Sequence, residues 1–227
     1  MTELISWLLE EENPGLRYLA LRDLKAAQAN PETLAKARRE AHQVGKIPAI
    51  LAKMDLEGYW AKPGAGYSPK YQSSVWALIL LAQLGARKEE DERIAKAMDY
   101  YRQHAFIDFG RINCSDSRPQ TFDCLQRNMV WALLRLGMPQ TELTEQIDWL
   151  ASSQTGAGIA LASNKLTEKS YVIDKSGAVF DCTHNGEQPC AWGAIRVLIA
   201  LGQVPEVERT EKKTESHQLG GRFPTAG

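Results

Sequence analysis

No stretch of this 227-residue chain approaches the ~20 consecutive apolar residues of a membrane-spanning helix, so no membrane span is expected. The opening residues, Met1 to Glu12, lack the basic start and small-residue cleavage site of a secretory leader, which predicts a cytoplasmic protein. Charge of one sign is missing too: 27 Lys and Arg stand against 28 Asp and Glu without a basic block, and no nucleic-acid partner is expected. The glycine-rich stretch Gly156 to Ala160 follows a predicted helix rather than a strand, which excludes a dinucleotide-binding loop. Histidine is scarce, and His42, His104, His184 and His217 carry no local signature of a Ser-His-Asp triad. There are only four cysteines; in a reducing compartment they read first as buried thiols or metal ligands and only then as disulfides. What is present, 44% hydrophobic and 24% charged residues, is enough to bury the core of one domain spanning 1–227.

An internal repeat organises that domain. SSVWALILLAQLG (Ser73 to Gly85), RNMVWALLRLG (Arg127 to Gly137) and CAWGAIRVLIALG (Cys190 to Gly202) are apolar helical segments led by Trp and stopped by Leu-Gly. Each is followed by a more amphipathic segment: Glu89 to Gln103, Gln140 to Gln154 and, more weakly, Val204 to Gln218. The unit is thus a helix hairpin. An earlier, diverged unit pairs Asn13 to Gln28 with a second helix begun by Pro31 and divided by Pro48. The units fall at about 13–60, 71–104, 124–158 and 189–223.

The second helices end on Gln154 with Gly158, on Gln218 with Gly221 and Phe223, and on Met54 with Gly58 and Trp60. These endings resemble decayed copies of the QxxxGxW motif of squalene and oxidosqualene cyclases. With the Trp-led helices, they make the chain similar to the squalene cyclase and protein prenyltransferase α/α-toroid superfamily, over most of residues 13 to 223. The resemblance implies an all-α, toroid-like array of about four hairpins, fewer than a closed ring uses. An unfinished ring leaves apolar helix faces uncovered, which predicts a homodimer or a shortened ring with an open cavity. The DxDD acid of the cyclases is missing, as is a DDxxD motif. The acidic run Lys88 to Arg93 sits at the start of a second helix and reads as a solvated face.

Two long insertions interrupt the array, at 105–123 and 155–188, and the second holds candidate strands at 169–174 and 177–182. In repeat arrays such insertions gather on one face, often the working one. They carry Cys114 and Cys182, with His184 beside the latter, and lead into helices that begin near Cys124 and Cys190. Cys124 lies thirteen residues before Gly137 and Cys190 twelve before Gly202, equivalent places in successive units. Soft sulfur ligands with an imidazole suit tetrahedral zinc, so Cys114, Cys124, Cys182, His184 and Cys190 are candidate ligands; four ordinary buried thiols are the alternative. Four protein ligands would make the zinc a structural staple, and three would leave an open position.

A second candidate site is aromatic. Tyr59, Trp60, Tyr67 and Tyr71 lie around the link WAKPGAGYSPKY, and Trp76, Trp131 and Trp192 occupy the matched first helices. In a toroid those helices line a cavity, where aromatic faces hold an apolar ligand, although plain core packing accounts for the three Trp as well. The expected function is therefore binding of an apolar small molecule or a protein partner, with a structural zinc. The alternatives are an enzyme acting on an isoprenoid or prenyl substrate, or a zinc-thiolate catalyst at the cysteine cluster.

Overall fold

The computed structural model describes residues 2–25, 29–117, 119, 121, 123–155, 181–182, 188–189, 195 and 198–205. Of the described residues 61% are helical, as the all-α expectation requires. Helix α1 spans Thr2–Leu8, α2 Pro14–Asp23, α3 Pro31–Gln43, α4 Lys46–Leu51, α5 Ser74–Gln83, α6 Glu92–Ala105, α7 Asp123–Leu136 and α8 Thr144–Thr155.

Local chemistry sets these boundaries. Pro14 and Pro31 open α2 and α3 where no backbone donor is needed, and the Asn30 side chain accepts the Glu32 N–H at 2.8 Å. Asp91 caps α6 in the same way, accepting the Arg93 N–H at 3.0 Å. Helices α5 and α7 both end on the expected glycine: Gly85 at φ +78° and Gly137 at φ +105° turn left-handed. The Ala86 N–H then closes back on the Leu81 carbonyl and the Met138 N–H on the Leu133 carbonyl, each at 2.9 Å. The division of the first unit differs from expectation. The break falls at Gly45, φ +103°, while Pro48 sits in the first turn of α4, where its missing N–H costs nothing.

The helices pack as the hairpins α2/α3, α5/α6 and α7/α8, and α5 lies directly against α7. That contact is the centre of the core. Val75, Leu78, Leu81 and Ala82 of α5 meet a shell with Met129, Val130, Leu133 and Leu136 of α7, closed by Ile94, Ala97 and Tyr101 of α6 and Ile147 and Leu150 of α8. Each large side chain buried in this way contributes ~1.5–3 kcal/mol of apolar transfer.

The insertions carry the strands. In the first, β1 (Phe106–Ile107) pairs antiparallel with β2 (Arg111–Ile112) around a turn in which Phe109 and Gly110 have positive φ. Gly110 presses on the Glu145 carbonyl so closely that any side chain would strike it, which seats the hairpin on α8. In the second, β3 (Asp181–Cys182) pairs with β4 (Gln188–Pro189), so its partner lies after it in sequence; the other candidate strand, 169–174, lies outside the described residues. Residues 198–201 are helical ahead of Gly202, and of the fourth unit 189, 195 and 198–205 are the described residues.

Candidate functional site

The link between α4 and α5 builds one wall of a cavity. Trp60, 4% exposed, anchors its start by donating its indole N–H to the Ile50 carbonyl at 2.9 Å, while its backbone N–H reaches Ser74 Oγ at 3.0 Å. Gly58 at φ +106° makes the turn into it. Further on, Asp116 from the first insertion accepts from Lys62 Nζ at 2.8 Å and from the Ala65 N–H at 3.0 Å. The Lys62 hydrogen bond holds the Asp116 carboxyl below its ordinary range. Ser73 Oγ donates to the Gly66 carbonyl at 2.7 Å, which leaves Tyr67 and Tyr71 projecting beside the first turn of α5.

There the two tyrosines meet Trp76. Its indole N–H donates to the Tyr67 carbonyl at 3.0 Å, and its ring centroid lies 5.6 Å from that of Tyr67 and 4.8 Å from that of Tyr71. The tilted pairs are of the kind aromatic quadrupoles favour. Along α5, Trp76, Ile79, Leu80 and Gln83 follow a helical period down one face, and Cys124, Leu125 and Asn128 of α7 stand opposite. Together with Val75 they line a half-open pocket of about 370 Å³, within the ~300–1,000 Å³ range of small-molecule sites. Its lining is apolar apart from the tyrosine hydroxyls, the two amides and one thiol. Asn128 is fixed by donating to the Cys124 carbonyl at 2.8 Å.

Of the aromatic residues expected to bind, the structure thus brings Tyr67, Tyr71 and Trp76 into one cavity. Trp60 serves the core. Tyr59 packs against Tyr100 with ring centroids 5.2 Å apart, and Trp131 packs half-buried against the core, both away from the lining. Trp192 lies outside the described residues. Sequence reasoning passed over Ile79, Leu80, Gln83, Leu125 and Asn128; the i, i+3, i+4, i+7 spacing from Trp76 was the signal for the first three.

The candidate zinc ligands are divided. Cys114 and Cys124 lie within electrostatic reach of one another and of the Tyr67 hydroxyl, whose pKa is raised chiefly by burial. Burial also pushes the Cys114 thiol up to about 12. The side chain of Cys182, with His184 and Cys190, lies outside the described residues, and among the described residues no three His, Cys, Asp or Glu side chains converge on a metal position. Nor is any described helix long and apolar enough to cross a membrane. The chain matches no protein-family model, no curated protein and no solved structure.

Proposed function

We propose that the chain is a toroid-like array of helix hairpins, related to the squalene cyclase and prenyltransferase superfamily, that binds an apolar small molecule between α5 and α7. One observation carries this reading: a cavity of about 370 Å³ walled by Tyr67, Tyr71, Trp76, Leu80 and Leu125. Among the described residues the pocket is open on one side, with Tyr71 and Leu80 exposed at it, so its apolar surface is accessible to a ligand. Gln83 and Asn128 supply the few polar groups that orient a ligand in such a site. A zinc staple through Cys114 and Cys124 belongs to the same proposal, supported by their mutual proximity beside Tyr67.

An uncharged fluorescent probe, N-phenyl-1-naphthylamine, tests the cavity. Saturable binding of one probe per chain is expected, with a blue-shifted emission. Leu80→Asp places a charge on the apolar wall at a side chain 44% exposed, so the fold should survive while probe affinity falls about tenfold or more. Unsaturable binding, or equal affinity in the folded variant, counts against the cavity. Elemental analysis tests the staple separately: one zinc per chain, lost in Cys124→Ser, is the expected result.

A further inference from the structure

At the opposite end of α5 from Trp76, the chain gathers arginines. The link after α5 threads between the ends of two other helices. The Lys88 N–H donates to the Leu136 carbonyl at 2.9 Å, and Arg87 Nη1 donates to the Arg135 carbonyl at 3.1 Å, which ties the link to the last turn of α7. On its other side, Gly85 lies so close to the last turn of α2 that a Cβ there would come within 2.7 Å of Arg22 Nη1. One short segment therefore brings Arg22, Arg87 and Arg135 to a single end of the bundle.

The carboxylates around them cover two of the three. Asp23 takes Arg22 in a fork, 2.6 Å to Nε and 2.7 Å to Nη2, and Glu89 accepts from Arg87 Nε at 3.1 Å. The half-buried Arg135 guanidinium forms an ion pair with none of the described carboxylates, although Asp23 and Tyr18 share its surroundings. The helix C-termini offset part of this charge, because their carbonyl ends favour cations. A dipole contribution is a fraction of a unit charge and does not fill the planar donor fork of Arg135, which no carboxylate among the described residues engages.

We propose that Arg135 and Arg87, in the field of Arg22, form a binding site for an oxyanion, a phosphate or carboxylate group carried by a small ligand. The planar fork of a guanidinium matches two acceptor oxygens of such a group; Arg135 offers that fork, and Arg87, with Nε on Glu89 and Nη1 on the Arg135 carbonyl, adds its Nη2 and its charge. Burial, and then the charge of Arg22, hold Arg135 below the ordinary arginine value, a repulsion that a bound anion relieves. Asp23 and Glu89 limit the site by competing for the same donors.

The full chain is the sample, and inorganic phosphate is the probe, titrated at neutral pH with chloride adjusted to hold ionic strength constant. Phosphate is expected to raise the midpoint of thermal unfolding along a saturable curve, and calorimetry is expected to show one site. Arg135→Gln should weaken phosphate binding at least tenfold, and Arg87→Gln provides the same reading should the first variant fold poorly. Asp23→Asn removes the competitor and should tighten binding severalfold. A parallel titration with succinate assigns the source: a stronger response to succinate places a carboxylate there, a stronger response to phosphate a phosphoryl group. Absence of a response to either anion beyond the chloride control overturns the proposal, as do Gln variants that respond like the parent. The naphthylamine probe binds elsewhere, so its result is independent of this one.

Discussion

Cys114 and Cys124 stand ten residues apart in sequence and within electrostatic reach in space, yet they differ as thiols. Cys114 is buried and its pKa is pushed up to about 12, whereas Cys124 is exposed on the cavity wall at the start of α7. Only the thiolate reacts, and at pH 8 a thiol of pKa 12 is ionised to about one part in 10⁴. With any bound zinc first removed by a chelator, iodoacetamide at that pH is therefore expected to label Cys124 in the folded protein and Cys114 only after denaturation, read by peptide mass mapping. Equal labelling of the two in the native state would show that Cys114 is not shut away. The sequence paired Cys124 with Cys190 through their places ahead of Gly137 and Gly202, and brought in Cys114 as part of the insertion that leads into α7. It could not show that one thiol is enclosed and the other open, because that depends on which side of α7 and the first insertion each faces.

Single helices were read well where their ends carry side-chain chemistry. The Leu-Gly stops and Pro31 act on their own local backbone, so pattern and structure agree there, whereas α6 starts at Glu92 rather than the expected Glu89 because Asp91 caps it. Pro48 misled because proline breaks a helix interior but is tolerated in a first turn, and the glycine that makes the break lies three residues earlier. The hairpin of β1 and β2 went unread because two-residue strands have no period to detect. Helix α6 offers a test at this scale. Asp91 caps its first turn and forms an ion pair with Arg93 at 2.7 Å, and that side-chain bond lowers the Asp91 pKa. Asp91→Ala is expected to cost about 0.5–2 kcal/mol in urea unfolding at neutral pH. A depressed carboxylate pKa stabilises above its unfolded value near ~4 and ceases to as pH falls through the folded value. The difference between parent and variant should therefore be full at pH 7 and shrink below pH 4, while Asp91→Asn keeps most of the cap. A difference independent of pH would remove the charged component.

Across the whole molecule, successive hairpins meet at the glycines that end their first helices, a role the motif did not reveal. Their left-handed φ follows from the stop signal, but what each glycine touches depends on the neighbouring unit. Gly85 lies against Tyr18 of α2 and Arg22 Nη1, whereas a Cβ on Gly137 would meet Glu89 Oε1 at 2.8 Å and Lys88 Cγ at 3.2 Å, both on side chains of the preceding link. The two joints are alike in backbone and unlike in surroundings. Tyr18 is buried at 6% exposure and its ring is packed into the core, so it has nowhere to go; the Glu89 side chain is half exposed and can swing into water. Gly→Ala at either place forces an L-residue into the left-handed region, at about 1–2 kcal/mol. Gly85→Ala adds the overpacking of a ring that cannot yield, about 1–3 kcal/mol more, while Gly137→Ala adds little. The two variants, compared by urea denaturation, should then rank with Gly85→Ala clearly the less stable and Gly137→Ala near the backbone cost alone. Equal losses would mean that the α2–α5 joint relaxes as freely as the joint at the end of α7, and that the first hairpin is held less firmly than Tyr18 and Gly85 imply.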